Sequence, residues 1–144
     1  MKNKFKNYLS LIKFSHTIFA LPFAIIGFSL ATANFEFDLI TLVQIILCMI
    51  FARSSAMAFN RYIDREIDLK NPRTANVREI PSGKISPKNA LLFVIINVIL
   101  FITTTYFINN LCFALSPIAL LVILGYSYTK RFTSFCHLVL GVGL

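Results

Sequence analysis

Uncharged apolar stretches of membrane-spanning length alternate with short polar breaks along this chain. Residues 14–35 carry no charge. About twenty apolar residues cross a bilayer core, so this run predicts a first transmembrane helix. Lys2, Lys4, Lys6 and Lys13 precede it, as basic residues precede a signal peptide. The run is too long for a signal h-region, however, and no small-residue cleavage site follows. Residues 34–38 form a short polar turn, and residues 39–60 predict a second span interrupted by Arg53. Residues 61–88 differ in kind: polar, charged and broken by Pro72, Pro81, Gly83 and Pro87, they read as a loop with helical ends. The next 41 residues, 89–129, carry no charge at all. That is twice a spanning length, and Asn109-Asn110 is the natural turn between spans over residues 89–108 and 111–129, with Pro117 a candidate kink. Lys130-Arg131 closes the stretch, and the apolar run at 132–144 has only 13 residues, too few to span. The expectation is an all-α integral membrane bundle of about four complete spans plus the start of a fifth. It reads as one domain over residues 1–144 that is truncated at its C-terminus.

Composition supports this reading. Of 144 residues, 57% are hydrophobic and 14% charged, against about 25% charged in soluble domains. Mean hydropathy is +0.74. A soluble domain this small leaves too much surface exposed to hide that much apolar material. The formal charge of +8 comes from fourteen Lys and Arg against six Asp and Glu. In a soluble protein it would suggest nucleic acid; here the bases punctuate apolar runs, so no nucleic-acid partner is expected and the lipid bilayer is. Seven of the fourteen lie in residues 61–88, four precede the first span, and the turns at 34–38 and 109–110 hold none. By the positive-inside rule the N-terminus, the 61–88 loop and Lys130-Arg131 are cytoplasmic; the expected location is a bacterial inner membrane. Cys48, Cys112 and Cys136 form no CxxC pair and read as packing residues.

The candidate chemistry sits at the end of the second span, in Asn60-Arg61-Tyr62-Ile63-Asp64-Arg65-Glu66-Ile67-Asp68. Asn60, Asp64 and Asp68 follow one another at steps of four. On a helix each step drifts only about 40°, so three oxygen-bearing side chains line one face over about 12 Å. Two carboxylates and an amide are hard oxygen ligands suited to Mg²⁺, which binds through one or two carboxylates plus substrate phosphate oxygens. The competing reading is a solvated, salt-bridged helix end, with Asp64 paired to Arg61 or Arg65 and Asp68 to Arg65. Ionisable groups at a membrane edge favour a functional site. So do Arg73, Arg78 and Lys84 in the following loop, cations suited to a diphosphate.

The run Asn60-Arg61-xx-Asp64-xxx-Asp68-xx-Asn71-Pro72-Arg73-Thr74-xxx-Arg78-xx-Pro81-x-Gly83 resembles the first aspartate-rich signature of the UbiA-type membrane prenyltransferases. The stretch from Gly125 to Thr133 resembles another block of that family, and His137 with Leu140-Gly141 resembles its next helix. The resemblance covers essentially the whole chain, as an N-terminal half. It implies a helical bundle around a cavity open to lipid, and transfer of a polyprenyl chain from its diphosphate to an aromatic acid in quinone biosynthesis. It implies that Asn60, Asp64 and Asp68 are the catalytic diphosphate–Mg²⁺ motif, with Asp64 and Asp68 holding the metal. Arg73, Arg78 and Lys130 become candidates for diphosphate oxygens, and Arg131 for the acceptor's carboxylate, with a topology anchor as its competing role. The family's second aspartate-rich motif would lie beyond residue 144, since no Asp or Glu follows Glu79.

Arg53, two turns before Asn60, either faces the cavity or snorkels to the interface. His16 and His137 read as interfacial hydrogen-bonding residues, Glu66 as a solvated or paired charge, and Asn97 as a helix–helix hydrogen bonder. The Ser15-His16-Thr17-Ile18-Phe19-Ala20-Leu21-Pro22-Phe23-Ala24 opening is similar to that of a subgroup acting on 4-hydroxybenzoate, for ubiquinone. Similar sequences act on a dihydroxynaphthoate-type acceptor, for menaquinone, and no residue separates the two. Three other classes compete. A CDP-alcohol phosphotransferase would show Asp-Gly and Ala-Arg around its acids, which are absent here. A transporter fragment would place acids within the spans rather than at their edge. A catalytically inactive fragment of the enzyme is the third.

Overall fold

A computed structural model describes residues 2–32 and 37–129, and the described residues are helical apart from turns. A polar helix α1 (Lys2–Leu11) leads into α2 (Phe14–Thr32) and α3 (Leu39–Ile63). Two short helices, α4 (Arg65–Lys70) and α5 (Pro72–Ala75), precede the hairpin of α6 (Pro87–Ile108) and α7 (Asn110–Thr129). Helices α3, α6 and α7 are long and apolar enough to cross a membrane. The first predicted span is shorter: its apolar stretch in α2 runs over Thr17–Thr32. The apolar run at 132–144 lies outside the described residues.

Local chemistry explains the boundaries. Asp38 starts α3 by accepting from the backbone N–H of Ile40 at 3.0 Å and of Thr41 at 3.1 Å, filling donors that a helix leaves open. A bond from the Thr41 hydroxyl, with those two backbone bonds behind it, holds the Asp38 carboxyl below its ordinary pKa. Ser86 does the same for α6, accepting from Asn89 N–H at 3.2 Å with Pro87 in the first turn. Asn109 both ends α6 and accepts from Cys112 N–H at 2.7 Å, so the predicted hairpin turn falls where expected. Lys13, at φ 47°, turns the chain from α1 into α2 in a left-handed conformation. The segment before it, for which the sequence pattern predicts no element, folds as α1.

Helix α3 is the centre of the bundle and packs mainly on α6, then on α2 and α7. Ser55, Ala58 and Ala90 are fully buried, and Ser54 nearly so; small side chains let membrane helices approach closely. Outer faces stay apolar and exposed, as at Phe19, Phe23, Ile40, Leu111 and Leu121. The best-packed region lies at the loop end of α3. There Leu11 and Ile12, Ala58, Ile80 and Ile85, and Ala90 and Val94 form one core, with Tyr8 against Phe93 at 5.2 Å. Leu11, Ile12, Ile80 and Ile85 lie outside the apolar spans, where burial from water is worth about 1.5–3 kcal/mol each. This core fixes the loop against α1, α3 and α6.

Candidate active site

The hydrogen-bond ladder of α3 runs on through its end. Asp64 (φ −80°, ψ −1°) departs from ideal helix geometry. Even so, its N–H donates to the Asn60 carbonyl at 3.0 Å, and the Asp68 N–H donates to the Asp64 carbonyl at 2.8 Å. Asn60, Asp64 and Asp68 are thus consecutive links of one backbone chain across α3 and α4, as their spacing predicts. Asp64 and Asp68 are only 8% and 5% exposed. Asp68 accepts an ion pair from Arg78 through Oδ1, and its Oδ2 is buried with no hydrogen-bond partner.

Arg61, 7% exposed, is the hub of the charge cluster. Arg78, Asp68, Glu79 and Asp64 all act on its guanidinium, and its Nε lacks a partner. Carboxylates and guanidiniums thus share a mostly buried place, where a charged oxygen left without a partner is costly. The orphaned Asp68 Oδ2 fits a hard cation held by few protein ligands. No group of three or more His, Cys, Asp and Glu side chains comes together for a metal among the described residues.

The loop holds its residues through its own bonds. Asn71 caps α5 by accepting from Arg73 N–H at 3.0 Å, and the Thr74 hydroxyl donates to the Asp68 carbonyl at 2.7 Å. Gly83 at φ 75° makes the turn that lets Ile85 N–H reach the Glu79 carbonyl at 3.0 Å.

Of the sequence candidates, Arg78 is brought to Asp68, while Arg73 stays exposed on α5. Arg53 is half-buried on α3 with its Nε unpartnered. Lys130, Arg131, His137 and Cys136 lie outside the described residues, and Cys48 and Cys112 are half-buried free thiols. Glu66 is exposed and pairs with Arg65 at 3.2 Å. The Arg65–Asp68 pair of the competing salt-bridged reading does not form: Arg65 donates to the Tyr62 carbonyl at 2.9 Å and lies over the Tyr62 ring. Asn97 donates at 2.8 Å to the Phe93 carbonyl of its own helix rather than to a neighbouring one. Sequence reasoning missed Glu79 and Ser10: the buried Glu79 carboxylate accepts from the Ser10 hydroxyl of α1. An isolated acid beside Ile80-Pro81 carries no signal that separates it from a solvated charge.

Membrane-length helices around a buried charge cluster at one helix end define an integral membrane protein with a polar site at the membrane edge. The chain belongs to the UbiA prenyltransferase family, whose pattern matches residues 20–144. A 4-hydroxybenzoate octaprenyltransferase of Aliivibrio fischeri (strain MJ11) is 36% identical over 101 residues, 70% of this chain and 35% of that protein. One from Vesicomyosocius okutanii subsp. Calyptogena okutanii (strain HA) is 36% identical over 113 residues, 78% of this chain and 41% of its own length. Among solved structures, the apo structure of a UbiA homolog from Aeropyrum pernix K1 superposes with TM-score 0.80 at 31% identity. It covers 90% of this chain and 46% of that one. A structure described for digeranylgeranylglyceryl phosphate synthase superposes with TM-score 0.86 at 30% identity, covering 99% of this chain and 50% of that one. The chain therefore spans between about a third and a half of the length of the relatives it matches.

Proposed function

We propose that the chain serves the transfer of a polyprenyl group from its diphosphate to an aromatic acid, 4-hydroxybenzoate, in quinone biosynthesis. The observation that carries this is the Asn60–Asp64–Asp68 ladder, with its two buried carboxylates, the orphaned Asp68 Oδ2 and the adjoining guanidiniums of Arg61 and Arg78. The names of its curated relatives support the acceptor. Asp64 and Asp68 hold Mg²⁺, directly or through water, and Asn60 orients the diphosphate. When bound, Mg²⁺ supplies Lewis-acid stabilisation of the charge on the departing diphosphate. Arg73, Arg78 and Lys130 neutralise the same oxygens. The bond from C1 of the chain to the diphosphate breaks, a ring carbon attacks the allylic cation, and the ring then sheds a proton. Arg131 grips the acceptor carboxylate, and Arg53 borders the cavity two turns deeper than Asn60. Apolar helix faces shelter the isoprenoid and keep water from the cation. Residues 1–144 act as one domain in a bacterial inner membrane, with the N-terminus and the 61–88 active-site loop in the cytoplasm.

The test uses membranes carrying the chain, labelled 4-hydroxybenzoate, a polyprenyl diphosphate and Mg²⁺, with lipid-extractable label as the readout. Label that disappears with EDTA and with Asp64→Ala supports the reading. Absence of label from the chain alone and from the chain extended by its downstream sequence, with this acceptor and with a dihydroxynaphthoate, refutes it.

A further inference from the structure

Arg78 and Glu79 are neighbours in sequence but serve different helices. Arg78 reaches the Asp68 carboxylate on α4, whereas Glu79 accepts from the Ser10 hydroxyl on α1. Both belong to one pinned turn: Ser82 N–H donates to the Arg78 carbonyl at 3.1 Å and Ile85 N–H to the Glu79 carbonyl at 3.0 Å. Ile80 and Ile85 are buried in the same core as Leu11 and Ile12. A shift of α1 would therefore move both side chains together. Glu79 is only 6% exposed, and Ser10 is a neutral donor. A hydroxyl contact alone does not require an acid there, and burying an unneeded charge is costly. The Glu79 charge acts at a distance on the Arg61 guanidinium.

We propose that Glu79, anchored by Ser10, is a positioning residue that fixes the Arg61 and Arg78 guanidiniums at the Asp64–Asp68 edge and so makes the N-terminal helix α1 part of the diphosphate site. This rests on the diphosphate reading above. Arg61 is held through charge and Arg78 through the shared turn.

The experiment measures binding to the full chain in lipid nanodiscs by calorimetry, using geranyl diphosphate with Mg²⁺ and, separately, geraniol, which lacks the diphosphate. Glu79→Gln keeps an acceptor for Ser10 and removes the charge. It weakens geranyl diphosphate about tenfold and leaves geraniol unchanged. Ser10→Ala weakens the diphosphate about threefold, and Ser10→Thr, which keeps the hydroxyl, restores it. Unchanged or tighter diphosphate binding by Glu79→Gln overturns the proposal; tightening is what simple removal of a nearby negative charge produces. Equal loss of both probes also overturns it, because that marks a structural role only. If Glu79→Gln fails to fold, the Ser10→Ala and Ser10→Thr pair decides. Asp68→Ala reports on the underlying reading: if it binds geranyl diphosphate as wild type does, the site itself is wrong, whatever Glu79→Gln shows.

Discussion

If the Asp64–Asp68 edge holds a divalent cation as proposed, Arg78 competes with it for one carboxylate, and that competition is measurable. The Asp68 side chain is 7% exposed and its Arg78 partner 28%. Breaking a buried ion pair by removing one member costs about 3–5 kcal/mol, because the other charge stays behind unpaired. Partial exposure of Arg78 lets water screen the loss, so Arg78→Ala is expected to cost about 2–3 kcal/mol. For a chain of this length each kcal/mol moves Tm by about 2–4 °C, a drop on the order of 5–10 °C. A cation that takes the place of Arg78 reverses it. At a hundredfold excess over Kd, Mg²⁺ adds about 2.7 kcal/mol to the folded state, enough to restore most of the loss. In the wild-type chain Arg78 already neutralises Asp68 through Oδ1, so the stabilising effect of Mg²⁺ is smaller. The assay is thermal unfolding in detergent, followed by a thiol-reactive dye on Cys48 and Cys112, which are half-buried when folded. The expected pattern is a destabilised Arg78→Ala variant, rescued by Mg²⁺ and not by matched ionic strength, with rescue absent in Asp68→Asn/Arg78→Ala. Rescue that survives the loss of Asp68, or Mg²⁺ shifts equal in wild type and Arg78→Ala, would refute the competition.

Three further outcomes follow from the packing and the turns. Ala58 is fully buried in the core that joins α3 to α6, so Ala58→Leu overpacks the helix contact and costs about 1–3 kcal/mol. A matched Ala58→Ser variant unfolding at the same temperature as Ala58→Leu would show that space is not limiting. Gly83 sits at φ 75° with open space where a Cβ would stand, so Gly83→Ala costs about 1–2 kcal/mol through backbone strain alone. That loss should be the same for Gly83→Ser, and a graded loss with side-chain size would point to a clash instead. Asp38 has a depressed folded pKa, so its contribution to α3 is present above the unfolded carboxylate pKa and is lost as pH falls through the folded one. Hydrogen exchange at the Ile40 and Thr41 amides should accelerate on acidification relative to mid-helix amides, beyond the intrinsic pH trend, and Asp38→Ala should remove that difference.

Span boundaries were readable in the sequence because the bilayer imposes them. An uncharged run of fixed length, ended by Asp38, Ser86 or Asn109, leaves little freedom over where a helix begins. The helical spacing of Asn60, Asp64 and Asp68 was equally legible, since a step of four means the same thing in any helix. Long-range choices were not. Asp68 had four arginines within ten residues, and nothing local says that Arg78 rather than Arg65 pairs with it; the fold of the 79–85 turn decides that. Arg65 is instead captured by the Tyr62 carbonyl and ring three residues away. Helix α1 was hidden by its lysines, although Tyr8, Leu11 and Ile12 provide the apolar face that docks on the core. Glu79 was invisible because its partner, Ser10, lies 69 residues away.

The placement of the core gives these misses a common cause. Membrane spans gain little from packing on one another when lipid is as apolar as their side chains. Water-facing segments gain from every isoleucine they bury. The strongest specific packing of this chain therefore gathers at the loop end of α3, where Leu11, Ile12, Ile80 and Ile85 leave water. The buried charges of Arg61, Asp64, Asp68 and Glu79 gather at that same end. A charge cluster needs a rigid, well-packed surround to stay paired at low dielectric. In this chain that surround is assembled from segments that lie outside the predicted spans, so substitutions in α1 and residues 79–85 should disturb the Asp64–Asp68 edge more than substitutions of equal size on the outer faces of α6 or α7.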